Sequence, residues 1–136
     1  MLDTFCCTDP EGYFEAPEKR RGFQVFLERV IEGTLELEPL LEERLPGLRL
    51  PPGVSLREEF DDGAHPSATR LAVSGPDCFG LLYLVSRSLS AAGCNIELAD
   101  VATPGGTACD LFFLTRGGGK LDDAAKRKVR QALSRL

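Results

Sequence analysis

The hydrophobic and polar positions in the second half of the chain follow two regular periods. A period of two residues predicts strands over residues 69–74, 94–103 and 107–115. A period near 3.6 residues predicts helices over 79–92 and 120–136. The resulting order, β-α-β-β-α, predicts an α+β protein with a ferredoxin-like sheet that lacks only its closing strand.

The first half of the chain contains a candidate for that closing strand. Residues 54–60 mix apolar and polar positions and predict a short strand, which can pair within the chain or with a second copy. Residues 35–50 are rich in Leu and Glu, and they predict a short helix with Pro39 near its start. The segment 61–66, DDGAHP, is typical of an exposed linker.

An internal repeat relates the two ends of the chain. Residues 3–29 align without a gap on residues 110–136, and each copy predicts a strand, a glycine-containing turn and a helix. The identical pairs are Asp3/Asp110, Phe5/Phe112, Thr8/Thr115, Gly12/Gly119, Lys19/Lys126, Arg20/Arg127 and Gln24/Gln131. We therefore predict a partial β-α-β unit over 1–60, a linker over 61–66 and a complete unit over 67–136. The first unit lacks its first half, as the tail of a longer protein would.

Composition and charge exclude several classes of protein. The chain has 136 residues, of which 43% are apolar, and this fraction favours a folded protein over a disordered one. No apolar run approaches the roughly 20 residues of a membrane helix, and Asp3 and Asp9 stand where a signal peptide would be basic and apolar. We therefore expect a cytoplasmic protein without a membrane contact. A net charge of −5 argues against nucleic acid as a partner.

The residue types that catalysis and metal binding require are scarce. One histidine cannot form a catalytic constellation with these spacings, so we expect no enzyme and no cofactor. None of the five cysteines has C-x-x-C spacing, and we expect reduced, buried or half-buried thiols and no metal site. The basic residues of 120–136 are interpreted as a solvated helix face, with a phosphate-binding strip as the alternative.

The complete unit resembles an ACT domain, the small amino-acid-sensing regulatory module. Residues 77–82 (DCFGLL), 93–96 (GCNI) and 110–112 (DLF) carry the resemblance. More narrowly, the chain looks like the C-terminal tandem ACT repeats of bacterial PII uridylyltransferase/uridylyl-removing enzymes. The resemblance implies a ferredoxin-like (βαββαβ) ACT domain, preceded by a partial ACT-like unit. It also implies a non-catalytic regulatory module that binds a small amino acid, with glutamine the ligand that the family favours.

The candidate ligand-binding residues lie on the loop before the first helix of the unit and at the start of its second strand. They are Asp77, Phe79, Gly80, Leu81, Asn95 and Ile96. We expect Gly80 in the first helical turn, where free backbone N–H groups favour a carboxylate. Asn95 can both donate and accept hydrogen bonds, which suits an amide or an amino group. Structural roles stay open: an N-cap for Asp77, close packing for Gly80 and a turn for Asn95.

Phe79 departs from the family pattern, because Cys78-Phe79 stands where Arg-Pro is usual. A bulky ring at this position can close the pocket, and a ligand-free dimerisation module is therefore the alternative function. The resemblance implies a pocket where the loop of one protomer meets the strand of another, so we expect a homo-oligomer through sheet edges or helices. Asp110 is unusual in its apolar strand, and if it is buried it needs a partner such as Arg70 or Thr103.

Overall fold

The computed structural model describes Asp9 and residues 12–136, and it divides the chain into two units between Gly47 and Leu48. The strand predicted at the start of the first repeat copy lies outside the described residues. The first unit contains a short 3-10 helix over Tyr13–Glu15, followed by α1 (Pro17–Ile31) and α2 (Leu37–Arg44). α1 begins with a proline, which is favoured at the first helical position because its missing N–H is unpaired there in any case.

The two helices of the first unit leave apolar side chains uncovered by the described residues. Neither α1 nor α2 contains a buried residue. Phe23 and Ile31, two apolar residues of α1, are both exposed. An amphipathic helix gains most of its stability from burying its apolar face. The described part of the first unit therefore lacks a developed core.

The second unit is a four-stranded antiparallel sheet with two helices. Its elements are β1 (Arg57–Asp61), β2 (Thr69–Pro76), α3 (Leu81–Ala91), β3 (Asn95–Asp100), β4 (Thr107–Thr115) and α4 (Asp123–Leu133). The strand order is β1-β2-β4-β3, and this arrangement confirms the predicted α+β, ferredoxin-like class. β1 lies at the edge of the sheet beside β2, so the strand whose pairing the sequence left open pairs within the chain. It pairs with β2 of the same chain, from Arg57 opposite Ser74 to Asp61 opposite Arg70.

The repeat boundaries predicted from the sequence stay a prediction. The structure places the end of the first predicted unit, as β1, in the same sheet as the strands of the second. The two-unit division of the structure falls earlier, between Gly47 and Leu48. A sheet shared in this way follows from the short connection between β1 and β2, because two antiparallel neighbours need only a few linking residues.

The core lies between one face of the sheet and the two helices. Strand alternation places Leu71 of β2 beside Phe112 of β4, and both side chains are fully buried. Each aliphatic or aromatic side chain buried in this way contributes about 1.5–3 kcal/mol. The helices supply further buried residues to the same core, namely Leu81, Leu84, Val85, Leu89, Ala125, Val129 and Leu133.

Two glycines determine where α3 begins and ends. Gly80 has φ +80°, a left-handed conformation that a helix does not continue through, so α3 begins at Leu81 and not at residue 79. Gly93 also has φ +80°, and its N–H and the next one donate back to Ser90 and Leu89. These two bonds form a Schellman motif, which confirms the predicted glycine stop.

Candidate functional site

The loop between β2 and α3 holds three of the predicted site residues, and a fourth, Leu81, is the first residue of α3. Asp77 is exposed, and its backbone N–H donates to the carbonyl oxygen of Gly106 at 3.0 Å. The interpretation of Asp77 as an N-cap is wrong, since the N-cap of α3 is Gly80, which has no side chain to cap the helix. The N–H of Leu81 donates to the carbonyl oxygen of Cys78 at 3.2 Å, and the other first-turn N–H groups have no side-chain cap, so they keep the partial positive charge that favours a negatively charged group.

Gly80 lies directly beneath the side chain of Leu48. A Cβ atom built on Gly80 would lie 2.8 Å from Cδ2 and 3.0 Å from Cδ1 of Leu48. Any larger residue would therefore collide with Leu48, in addition to the strain that φ +80° imposes on a side chain. In this structure the glycine allows Leu48 to contact the N-terminus of α3.

The side chains on either side of Gly80 face in different directions. Phe79 is 74% exposed, so its ring covers no pocket within the described chain, and its closing of a pocket between protomers stays a prediction. Leu81 is buried in the core, where it packs with the other apolar residues of α3. Leu48, which the sequence did not single out, is the side chain that covers this loop.

Asn95 and Ile96 lie at the opposite end of the sheet from the loop. Asn95 is opposite Thr115 of β4, whereas Pro76, at the loop end, is opposite Thr107. Positions 107 and 115 of one strand are about 27 Å apart at roughly 3.4 Å per residue. The structure therefore does not bring Asn95 and Ile96 together with the loop in a single chain. Ile96 is half-buried and packs against the core.

The side chain of Asn95 belongs to a polar cluster at a bulge of β3. The register of β3 shifts between Ile96 and Leu98, around Glu97. Thr115 Oγ1 donates to Glu97 Oε1 at 2.6 Å, and Asn95 Nδ2 donates to the same oxygen at 2.8 Å. These hydrogen bonds, that of Thr115 first, lower the pKa of Glu97 because they stabilise its charged form.

Asp110 is a buried carboxylate on the helix-facing side of β4. It is 3% exposed and lies opposite Val73, and its Oδ1 has no hydrogen-bond partner among the described residues. Burial raises the pKa of Asp110, a hydrogen bond from the backbone of Ala102 opposes the rise, and the negative charge of Asp77 adds to it. The expectation that Arg70 pairs with Asp110 is wrong, because the guanidinium of Arg70 donates to Asp61 at 2.9 Å.

A second polar cluster, around Asp62, was missed by sequence reasoning. The carboxylate of Asp62 accepts hydrogen bonds from Lys126 Nζ at 2.5 Å and from Thr69 Oγ1 at 2.7 Å. These two bonds, that of Lys126 first, lower the pKa of Asp62. Lys120 Nζ also donates to the backbone carbonyl of Asp62. The cluster ties the segment predicted as a solvated linker to α4, and no sequence spacing signals a contact over such a distance.

The cysteines of the described chain are free thiols. Cys94 is buried, and burial raises its thiol pKa, whereas Cys78 is half-buried. Cys109 is exposed, which corrects the expectation that all of the thiols are covered. Cys6 and Cys7 lie outside the described residues. Within those residues, no three His, Cys, Asp or Glu side chains are placed to hold a metal ion, and no helix is long and apolar enough to span a membrane.

Comparison with known proteins finds several bacterial relatives of this chain. The bifunctional uridylyltransferase/uridylyl-removing enzyme of Streptomyces coelicolor is 34% identical over 113 residues, which cover 79% of the chain. The enzyme of the same name from Nitrobacter winogradskyi is 35% identical over 72% of the chain, and that from Rhodospirillum rubrum is 32% identical over 97%. The chain spans only 11–15% of the length of these relatives. No family model matches the chain, and no solved structure matches it significantly.

Proposed function

The chain belongs with the bifunctional uridylyltransferase/uridylyl-removing enzymes as a relative of one short segment of them, and we propose that it is a non-catalytic regulatory module. The small share of the relatives that it matches supports this proposal, because most of their length lies outside the match. We further propose that it works in the cytoplasm and binds a small amino acid, with glutamine as the ligand.

The N-terminus of α3 is the observation that carries the amino-acid proposal. Its first-turn N–H groups lack a side-chain cap, and such groups bind carboxylates well. Asp77, on the same loop, is the charged group that acts on the buried Asp110, so two carboxylates accompany the helix end. An amino acid carries both matching groups: its carboxylate suits the helix end and its ammonium group suits Asp77 or Asp110.

A second copy of the chain would complete this site. Asn95 and Gly80 lie at opposite ends of the sheet, so the two groups of predicted residues can meet only between chains. β3 is an edge strand, and Leu98 on it is 58% exposed. Two β3 edges paired antiparallel about a two-fold axis would bring the Asn95 end of one copy beside the Asp100 end of the other. Because β2 and β3 run parallel, the Asp100 end is also the end that holds the α3 loop.

A thermal-shift screen of the full chain against the twenty amino acids tests the proposal. A ligand at about 100 times its Kd stabilises the folded state by about 2.7 kcal/mol, so glutamine is expected to raise the Tm by several degrees. Glutaramate is the matched control, since it keeps the carboxylate and the side-chain amide of glutamine but lacks the ammonium group, and no comparable shift is expected. The proposal fails if no amino acid shifts the Tm.

A ligand-free dimerisation module is the second candidate, and the position of Leu48 favours it. Leu48 covers the helix end that an amino acid would need to approach. Such a module would melt at a temperature that rises with protein concentration but does not respond to any amino acid. Repeating the screen at two protein concentrations therefore separates the two functions.

A further inference from the structure

The segment that joins the first unit to β1 is anchored on the core of the second unit. Leu50 is buried in that core, and Leu48, Val54 and Leu56 pack against it. Residues 45–56 form neither helix nor strand. Withdrawal of this segment would break these apolar contacts but no ladder of backbone hydrogen bonds.

Leu48 occupies the approach to the N-terminus of α3. Three of its carbon atoms lie within 3.3 Å of the position that a Cβ on Gly80 would take. An amino acid whose carboxylate binds the first-turn N–H groups must place its own atoms against the same glycine. The side chain of Leu48 and such a ligand therefore cannot occupy this position together.

We propose that Leu48 is a built-in competitor for the amino-acid site, which the ligand must displace from Gly80. The inference rests on the proposed function, and it adds a closed state with Leu48 on Gly80 and an open state that binds the ligand. A ligand that binds only the open state shifts the chain towards it.

Leu48→Ala in the full chain tests the competition, and the chain offers a matched control. Leu56 lies on the same segment, and its Cδ2 is 2.9 Å from the Cβ position of Gly75, so it makes the same kind of contact away from α3. Titration calorimetry with L-glutamine is expected to give binding at least fivefold tighter for Leu48→Ala than for wild type. Leu56→Ala is expected to bind within twofold of wild type.

Hydrogen exchange without ligand provides a second readout that does not depend on binding. Amides of residues 78–84 are expected to exchange at least fivefold faster in Leu48→Ala than in Leu56→Ala, because only the first variant uncovers the start of α3. Unchanged exchange in Leu48→Ala would overturn the inference.

The outcomes separate this inference from the proposed function. Equal affinity of wild type and Leu48→Ala for glutamine overturns the competition and leaves the amino-acid proposal standing. Binding by Leu48→Ala alone supports both. If neither protein binds any amino acid, the proposed function fails and the competition falls with it, even where exchange is faster.

Discussion

Thr69 joins three parts of the second unit through one buried hydroxyl, and replacing it by valine tests how much that link contributes. Its Oγ1 donates to Asp62 Oδ1 at 2.7 Å and accepts the backbone N–H of Leu121 at 3.0 Å. The side chain of Thr69 has no exposed surface. Valine has nearly the same shape, so Thr69→Val removes both bonds without creating a large cavity.

The expected cost of Thr69→Val is about 3 kcal/mol. Leu121 is buried, so its N–H would lose its partner with little access to water, which costs about 1–3 kcal/mol. The bond to Asp62 contributes about 1 kcal/mol, at the low end for a charged acceptor, because the side chain of Asp62 is 47% exposed and can bind water instead. For a chain of this size, the sum corresponds to a Tm lower by about 10 °C.

Urea unfolding followed by circular dichroism measures this cost, with Thr69→Ser as the control. Serine keeps both hydrogen bonds and loses one methyl group, so Thr69→Ser is expected to cost only about 1 kcal/mol. If the valine variant is as stable as the serine variant, the hydroxyl does not stabilise the fold and the reasoning is wrong.

Two further predictions concern the pH dependence of stability. A carboxyl whose pKa is raised in the folded state holds its proton more tightly there than in the unfolded chain. Asp110 therefore destabilises the fold increasingly as the pH rises above 3.8, the ordinary pKa of an aspartate. Asp110→Asn is therefore expected to be more stable than wild type at pH 7 and equally stable near pH 3 in urea unfolding; a less stable variant at pH 7 contradicts this. The pKa of Asp62 is lowered in the folded state. The ionised carboxylate of Asp62 therefore stabilises the fold above pH 3.8, and this stabilisation is lost as the pH falls through the pKa of the folded state. Lys126→Met is expected to lower the free energy of unfolding by less than about 1 kcal/mol at pH 7, since Asp62 is half-exposed. This loss of stability should shrink at pH 2 and in 1 M salt. A loss that does not depend on salt would show that the charge of Lys126 is not its cause.

Strands β2 and β4 of the second unit were predictable because each has one buried face. Burial of alternate residues imposes a period of two on the sequence, and β4 has the predicted bounds, Thr107–Thr115. The start of α3 was not predictable from periodicity, because the left-handed conformation of Gly80 depends on how the loop packs. β1 was found as a strand, but its partner in the sheet is a tertiary property, which the sequence left open.

The candidate site was predicted less completely than the fold. Gly80 and Asn95 are close in sequence, yet α3 carries the chain from one end of the sheet to the other between them. Eleven helical residues span about 16 Å, so this separation was accessible to sequence reasoning. The contact of Leu48 with Gly80 was not accessible, because a segment without helix or strand carries no periodic signal of its position.

The position of β1 also affects the order in which the sheet can assemble. β1 is joined to its neighbour β2 by residues 62–68 alone, whereas a closing strand placed after α4 would have to close a loop several times longer. Each doubling of loop length costs about 0.6 kcal/mol of entropy, so about three doublings amount to roughly 2 kcal/mol. With a closing strand after α4, this edge of the sheet would form last. Here β1 and β2 form a local hairpin, which can form early, and β4 can then pair with the other edge of β2.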